Sequence, residues 1–351
     1  MDHSENYRHH EDLYYTDGNV ALVVHWPDED VPDRHVVFRV HKSILSRSSP
    51  VFQDMFSLPG GEASELYDNV PLIHMPDSGA ALESLLCYLY SNPIPFFLKP
   101  FDPETPLQVR PLLAIADKYQ VETLRNLIVE RLEADWPQTL GKWDHAEEAA
   151  RQAVLPVDLD KDAYPDDLHP EPASAIRLAR DFDIPTILGP AFYHLSRIDI
   201  SQDWDKYRAL DVNGRQKRAC LPRDAHRVRT TRWNLLEKED YISLLRGRYL
   251  LREAVENAID MLRVPSAIQD EPHLCSADCN ARMYSKALTI RRLELLASND
   301  ILREHRQDDN EEWLNKCWNT LCPRCRSSIV MILDRCRQNV WDELFSFFVS
   351  S

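Results

Sequence analysis

Four cysteines near the C-terminal end have the spacing most suggestive of chemistry: Cys275-x-x-x-Cys279 and Cys322-Pro323-Arg324-Cys325. Zinc takes four thiolates tetrahedrally, and a C-x2-C turn brings two sulfurs onto one ion at about 2.3 Å each. Two such pairs at helix ends would clip a subdomain together around one structural zinc, with His273 able to replace a cysteine. Nothing in the set suggests the open coordination position that zinc catalysis needs. Four ligands are too few for a two-zinc arrangement, and the first pair is spaced one residue too wide. The competing reading is four free thiols near helix ends.

The other candidates read more simply as structure or solvation. His41 stands among serines, which invites nucleophilic catalysis. A triad needs a base and an orienting acid in register, and no acid is placed in sequence to orient His41. Asp166-Asp167, Asp308-Asp309 and Glu311-Glu312 are paired carboxylates in hydrophilic linkers or at helix starts, where the helix dipole favours negative charge. Acid/base pairs need opposing environments inside a cleft. Arg215, Lys217, Arg218, Arg223, Arg227, Arg229 and Arg232 form a basic island over 215–232. It could contact phosphate or act as an import signal, but no aromatic platform is interleaved. A solvated loop paired with the acidic surface is the expectation. There is no Walker-type loop, no G-x-S-x-G elbow and no H-E-x-x-H helix. No catalytic residue is assigned, and an enzyme is not expected.

Composition points the same way. The chain carries 41 basic and 57 acidic side chains, a net charge of −16. Such a surface repels phosphate backbones and anionic headgroups, so nucleic acid is an unexpected partner and membranes are not one. Only 8 glycines occur in 351 residues, which favours helices over phosphate-cradling loops. No stretch approaches the roughly 18 apolar residues of a membrane span. The polar start Met1-Asp2-His3-Ser4 is unlike a signal peptide, and the 8 cysteines are unevenly spaced. Cytoplasm or nucleus is the expected location. The length suggests two domains.

Residues 1–16 are polar and read as a disordered tail. Val20–Val24 and Val36–Val40 then predict paired buried strands, and Pro71–Met75 a third. Short helices follow around Ile44-Leu45 and, from Pro50, around Phe52, Met55 and Phe56. Ser78 can cap a helix carrying Leu82, Leu85, Leu86 and Leu89. Five prolines across 92–106 forbid its continuation. Two helices marked by Leu112–Tyr119 and Leu124–Leu132 lead to Trp136-Pro137. Beyond a helix over 141–153 and an acidic, Pro-rich linker over 156–172, Ala175–Leu195 repeats the pattern of Leu112–Leu132. Ala116 corresponds to Ala179, Tyr119 to Phe182, Val121 to Ile184, and Leu124 to Ile187. This predicts one helical hairpin used twice. Further amphipathic helices are expected near 237–263, 279–305, 310–319 and 324–348.

The run Phe38–Phe52 resembles the BTB/POZ domain. His41, Leu45, Ser49 and Phe52 fall on that family's H-x-x-x-L-x-x-x-S-x-x-F pattern; Leu85–Ser91 and Leu113–Val121, containing Tyr119, match its later helices in order. The remainder, with Gly247-Arg248 and Trp341, resembles the BTB proteins expanded in basidiomycete fungi. The resemblance implies an α+β fold: a small BTB/POZ-like sheet covered by helices over 17–137, followed by an all-α C-terminal domain over 138–351. It implies that His41 starts a helix and packs beneath the sheet. It also implies protein partners, through homodimer formation or docking, and a possible cullin-type ubiquitin ligase as partner. The apolar-x-Glu element of cullin adaptors has no match in 92–106, and the basic residue that precedes the motif serine in many relatives falls at Ser48, with Arg47 one position early. The alternative is a nucleic-acid-associated transcription regulator using 215–232.

Overall fold

The computed structural model describes residues 7–27, 34–58, 65–91, 99–154, 169–208, 229–263, 300–302 and 323–349. The chain divides into two compact units, Met1–Pro100 with Glu104–Leu132, and Phe101–Pro103 with Glu133–Ser351.

The first unit is built on a mixed sheet of order β1-β3-β2-β5-β4. β2 (Val20–His25) and β3 (His35–Val40) pair antiparallel in unbroken register. β2 also pairs parallel with β5 (Val70–His74). β4 (Leu66–Tyr67) folds back on β5 through Asp68 and Asn69, both at positive φ. Two such residues in a two-residue turn give the twist that antiparallel strands require. Ala21, Val23, Val37, Val70 and Leu72 form one buried cluster with Tyr7, Tyr14 and Tyr67 packed against it. Val20, Leu22, Val24, Val36, Phe38 and Val40, the alternating set on β2 and β3, are equally buried. Covering both faces explains why these strands read as continuous apolar runs.

β1 (Tyr7–Tyr14) corrects the expectation of a disordered tail over 1–16 for these residues: Tyr7–His9 and Tyr14 pair parallel with β3, with a break in register between them. Backbone pairing and one histidine hold a strand whose composition is polar. The His10 ring stacks on Phe38, and its Nδ1 accepts from the amides of Asp12 and Leu13. The hydrogen is therefore on Nε2, which donates to Glu83 at 3.0 Å. Leu13 is fully buried, and Tyr7 and His9 meet Tyr67 edge-on.

Helices α1 (Lys42–Ser48), α2 (Pro50–Ser57), α3 (Gly79–Leu89), α4 (Thr105–Lys118) and α5 (Glu122–Asp135) follow. The Ser78 hydroxyl caps α3 by accepting from the Ala81 amide. α4 starts at Thr105, seven residues before Leu112, and contains Pro106 and Pro111. Pro106 lies in the first turn, where a missing amide costs nothing. The missing amide of Pro111 would have served Leu107, which is at the surface, where water can take its carbonyl. The two units divide within α5, between Leu132 and Glu133, and Trp136 packs edge-on against His194 in the second.

The second unit is helical: α6 (Leu140–Val154), α7 (Pro172–Asp181), α8 (Leu188–Ser196), α9 (Trp204–Arg208), α10 (Lys238–Arg263) and α11 (Pro323–Phe348). The end of the expected linker 156–172 is corrected. Glu171 is 1% exposed and caps α7, accepting from the amides of Ala173 and Ser174 as well as from Thr231 and the Arg232 amide. Residues 155–168 lie outside the described residues, as do 310–319. Of the expected helix 279–305, only 300–302 are described, and they form a turn.

The turn that ends the first helix of the repeated pattern is present in both units. α4 ends at Tyr119 and α7 at Phe182, each followed by a residue at positive φ, Gln120 (53°) and Asp183 (50°). The Val121 amide then bonds Ala116 O at 2.8 Å, and the Ile184 amide bonds Ala179 O at 2.9 Å. This left-handed helix end satisfies carbonyls that the helix leaves open. The small residue at the bonded carbonyl and the buried aliphatic after the turn are the pattern that repeats in sequence.

α10 and α11 pack closely where Gly247 faces Phe348; a Cβ there would lie 1.9 Å from the ring. Arg248 donates to the carbonyls of Ser196 and Ile198 and so closes the end of α8. In an open helix Gly→Ala gains up to about 1 kcal/mol. Gly247→Ala should instead destabilise by about 1–3 kcal/mol through overpacking. Gly141→Ala in α6, with nothing within 4 Å, should be neutral or stabilising. Thermal unfolding of the two variants checks the opposite signs.

Candidate functional site

Ser49 joins two helices that are distant in sequence. Its extended backbone puts it at the N-cap of α2, with Pro50 as the first helical residue. The hydroxyl accepts from the Phe52 amide at 3.1 Å and donates to the Tyr119 carbonyl at 2.5 Å. That carbonyl belongs to the end of α4, so one buried oxygen serves two helix termini. The Phe52 ring lies flat on the Tyr119 ring, centroids 4.4 Å apart and 3° from parallel. The Tyr119 hydroxyl donates to Asp77 at 2.6 Å, and Lys118 binds the same carboxylate. Burial, and then Asp77, hold the phenol far above its ordinary range, so Tyr119 stays neutral. Leu45 is fully buried, and its carbonyl takes the Ser49 amide at the end of α1. Leu45, Ser49, Phe52 and Tyr119 thus meet in one junction.

His41 lies at the opposite end of α1, at its N-cap as expected of a residue that starts a helix, with its side chain about one-quarter exposed. Tyr90, the residue closing α3, accepts from the His41 amide at 2.7 Å, and its hydroxyl is hydrogen-bonded to His41 Nδ1 at 3.0 Å. The expectation that no acid orients His41 is corrected: Asp17 lies 3.3 Å from Nε2. The chain bends back through Tyr15, whose ring stacks on Tyr90, and brings Asp17 within reach. This trio does not make a nucleophile. Burial pushes the Tyr90 phenol up to about 12, and the motif serine Ser49, at the far end of α1, gives its proton to the Tyr119 carbonyl. Asn19 caps α1 by accepting from the Lys42 amide, so the loop's polar groups hold the start of this helix.

Cys275, Cys279, Cys322 and His273 lie outside the described residues; Cys325 falls in the first turn of α11. Among the described residues no group of three or more His, Cys, Asp or Glu could hold a metal ion. None of their helices is long and apolar enough to cross a membrane. The acidic pairs at 166–167 and 308–312 also lie outside, as do Arg215, Lys217, Arg218, Arg223 and Arg227 of the basic island. Its last two members are corrected from solvated loop to framework. Arg229 binds Glu147 at 2.8 Å, and Arg232 lies over the Trp204 ring at 4.3 Å. Carboxylate and indole partners that are distant in sequence are invisible to a reading of charge runs.

One surface feature went unread. Ile242, Leu245 and Tyr249 on α10 are 54%, 65% and 66% exposed and share one face at i, i+3, i+7 spacing. Leu244, Leu251 and Val255 bury the other face. Two interleaved apolar rows, rather than one, are the sequence signal of a helix with a second surface to cover.

Residues 30–135 match the profile of the family described as BTB/POZ domain. No curated protein matches the chain. The matched span contains every residue of the Ser49–Tyr119 junction, set beside a small mixed sheet as that family's motif implies, and the chain therefore carries a BTB/POZ domain.

Proposed function

We propose that this protein works by binding other proteins: the BTB/POZ unit associates with a second copy or docks a partner, and the helical unit presents a further surface on α10. The observation that carries this reading is the BTB/POZ match over residues 30–135. The chemistry of that unit supports it. Ser49 spends its hydroxyl on two helix ends, Tyr119 gives its hydroxyl to Asp77 and His41 gives its amide to Tyr90, and Tyr90 and Tyr119 are held as neutral phenols. Sedimentation of the full chain at micromolar concentration should give a dimer mass; a monomer up to tens of micromolar would contradict self-association.

A narrower form of the reading is an adaptor for a cullin-type ubiquitin ligase. It predicts saturable binding of a purified cullin at micromolar concentration, and no binding there removes the adaptor role. The exposed row Ile242, Leu245 and Tyr249 supports partner capture by the helical unit, because apolar residues at this spacing form the face that a groove or second helix covers. Use of 215–232 on nucleic acid is the less favoured reading, since Arg229 and Arg232 are committed to Glu147 and Trp204.

A structural zinc on Cys275, Cys279, Cys322 and Cys325 is part of the proposal. The C-x2-C spacing of Cys322 and Cys325 is what supports it. Purified protein should contain one zinc per chain, and chelation should lower its melting temperature. Protein that lacks zinc and melts identically in chelator would refute the site.

A further inference from the structure

His194 sits where a second proton has no place to go. It is on the last turn of α8, 3% exposed, with the Trp136 ring edge-on at 5.8 Å and Trp143 at 6.4 Å. Its Nδ1 is 3.1 Å from an Arg197 guanidinium nitrogen and 3.3 Å from one of Arg229. Guanidinium nitrogens only donate, so Nδ1 accepts and the ring hydrogen is on Nε2. The two cations cannot simply turn away. Glu147 on α6 takes Arg197 at 2.9 Å through one oxygen and Arg229 at 2.8 Å through the other. Asp300 takes Arg197 at 3.4 Å and the Tyr193 hydroxyl at 2.9 Å, and the same hydroxyl accepts from the Leu302 amide. Arg197 also lies over the rings of Trp143 and Tyr193.

The titratable groups facing the ring are Arg197 from its own helix, Glu147 from α6, His169 ahead of α7 at a ring separation of 6.0 Å, and Arg229. Glu147 and Asp300 balance Arg197 and Arg229 one for one, so among the described residues facing the ring no negative charge is left over for an imidazolium. The cluster ties together α6, α8, the turn 300–302 and the stretch at 229–232, the same stretch that Glu171 holds against the start of α7.

We propose that His194 is an acid-sensitive latch of the helical unit: as a neutral ring it accepts both guanidiniums and keeps Arg229 docked on α6 and α8, and on gaining a proton it releases them. A proton on Nδ1 would set three cations in contact. The direction of the electrostatics agrees. Burial first, then Arg229 and Arg197, hold the His194 pKa well below the ordinary imidazole value. Burial and Arg229 push the more exposed His169 down to about 3. A histidine whose pKa is lowered in the fold contributes stability that is complete above the unfolded value, about 6.5, and is lost as pH falls below it. Each such ring should cost roughly tenfold in the folded-to-released ratio per pH unit. Glu147 titrates in a separate window. Burial would raise it, but Arg197 and Arg229 prevail and hold it well below 4.5, so its contribution survives until stronger acid.

The test is the melting temperature of the full chain from pH 7.5 to 5.0, for the wild type and for His194→Asn. Asparagine can place an acceptor oxygen near Nδ1 and takes up no proton. The wild type should lose stability steadily below pH 6.5, with the variant's slope shallower by about one proton, a tenfold change per pH unit. Equal slopes, or a flat wild-type profile, would overturn the latch. A second readout guards against a variant that fails to fold. Spectra of 15N-histidine-labelled wild type at pH 5.5 should contain a ring that is still neutral, with its hydrogen on Nε2. Spectra showing every ring doubly protonated while the protein stays folded would overturn it as well.

Discussion

The hydrogen bond from the Ser49 hydroxyl to the Tyr119 carbonyl is the constraint on which the first unit depends. Its net worth is modest, about 1 kcal/mol like other hydrogen bonds, but breaking it leaves buried donors and acceptors unmade at about 1–3 kcal/mol each. Around it, geometry accumulates without further choice. Fixing the end of α4 fixes the left-handed turn at Gln120 and the Val121 amide that closes on Ala116. Fixing the start of α2 lays Phe52 on Tyr119, and Asp77 then holds the far side of that ring. A small domain with this many helix ends in its interior needs their open amides and carbonyls matched to each other, and one serine matches two.

The helical unit solves the same problem with charge. Glu171 takes four donors at the start of α7. Asp240, fully buried, binds Arg177 and the Glu237 amide at the start of α10. Arg248 closes α8 from the outside. Each is a charged side chain that satisfies backbone at a helix end, and each also reaches a group more than 45 residues away in sequence. An interior fastened this way is strong where every charge is matched and sensitive where one can change, as at His194.

Much of the first unit was legible because its signals are local. Ser49-Pro50, Ser78 and the apolar runs Val20–Val24 and Val36–Val40 each follow from a few adjacent residues, and the hairpin echo survives because its helix end needs the same small and aliphatic residues twice. β1 was missed because nothing in its own composition makes it a strand; it exists through the β3 edge and through His10 on Phe38. The same holds for Asp17 beside His41 and for Arg229 on Glu147, which are pairings across 24 and 82 residues that no run or spacing encodes. The basic residues looked like one surface feature because they are adjacent in the chain, and the fold spends the two at its end on framework contacts.

The central claim, that Ser49 ties α2 to α4, is open to native-state amide exchange on Ser49→Ala in the full chain. The account predicts a loss of about 2–3 kcal/mol, the cap together with the orphaned Tyr119 carbonyl. This should appear as faster exchange together in peptides from both 50–57 and 105–118, with peptides of the helical unit unmoved. Exchange that quickens only in α2, or by less than about 0.5 kcal/mol in both segments, would show that the two helices are held by something else.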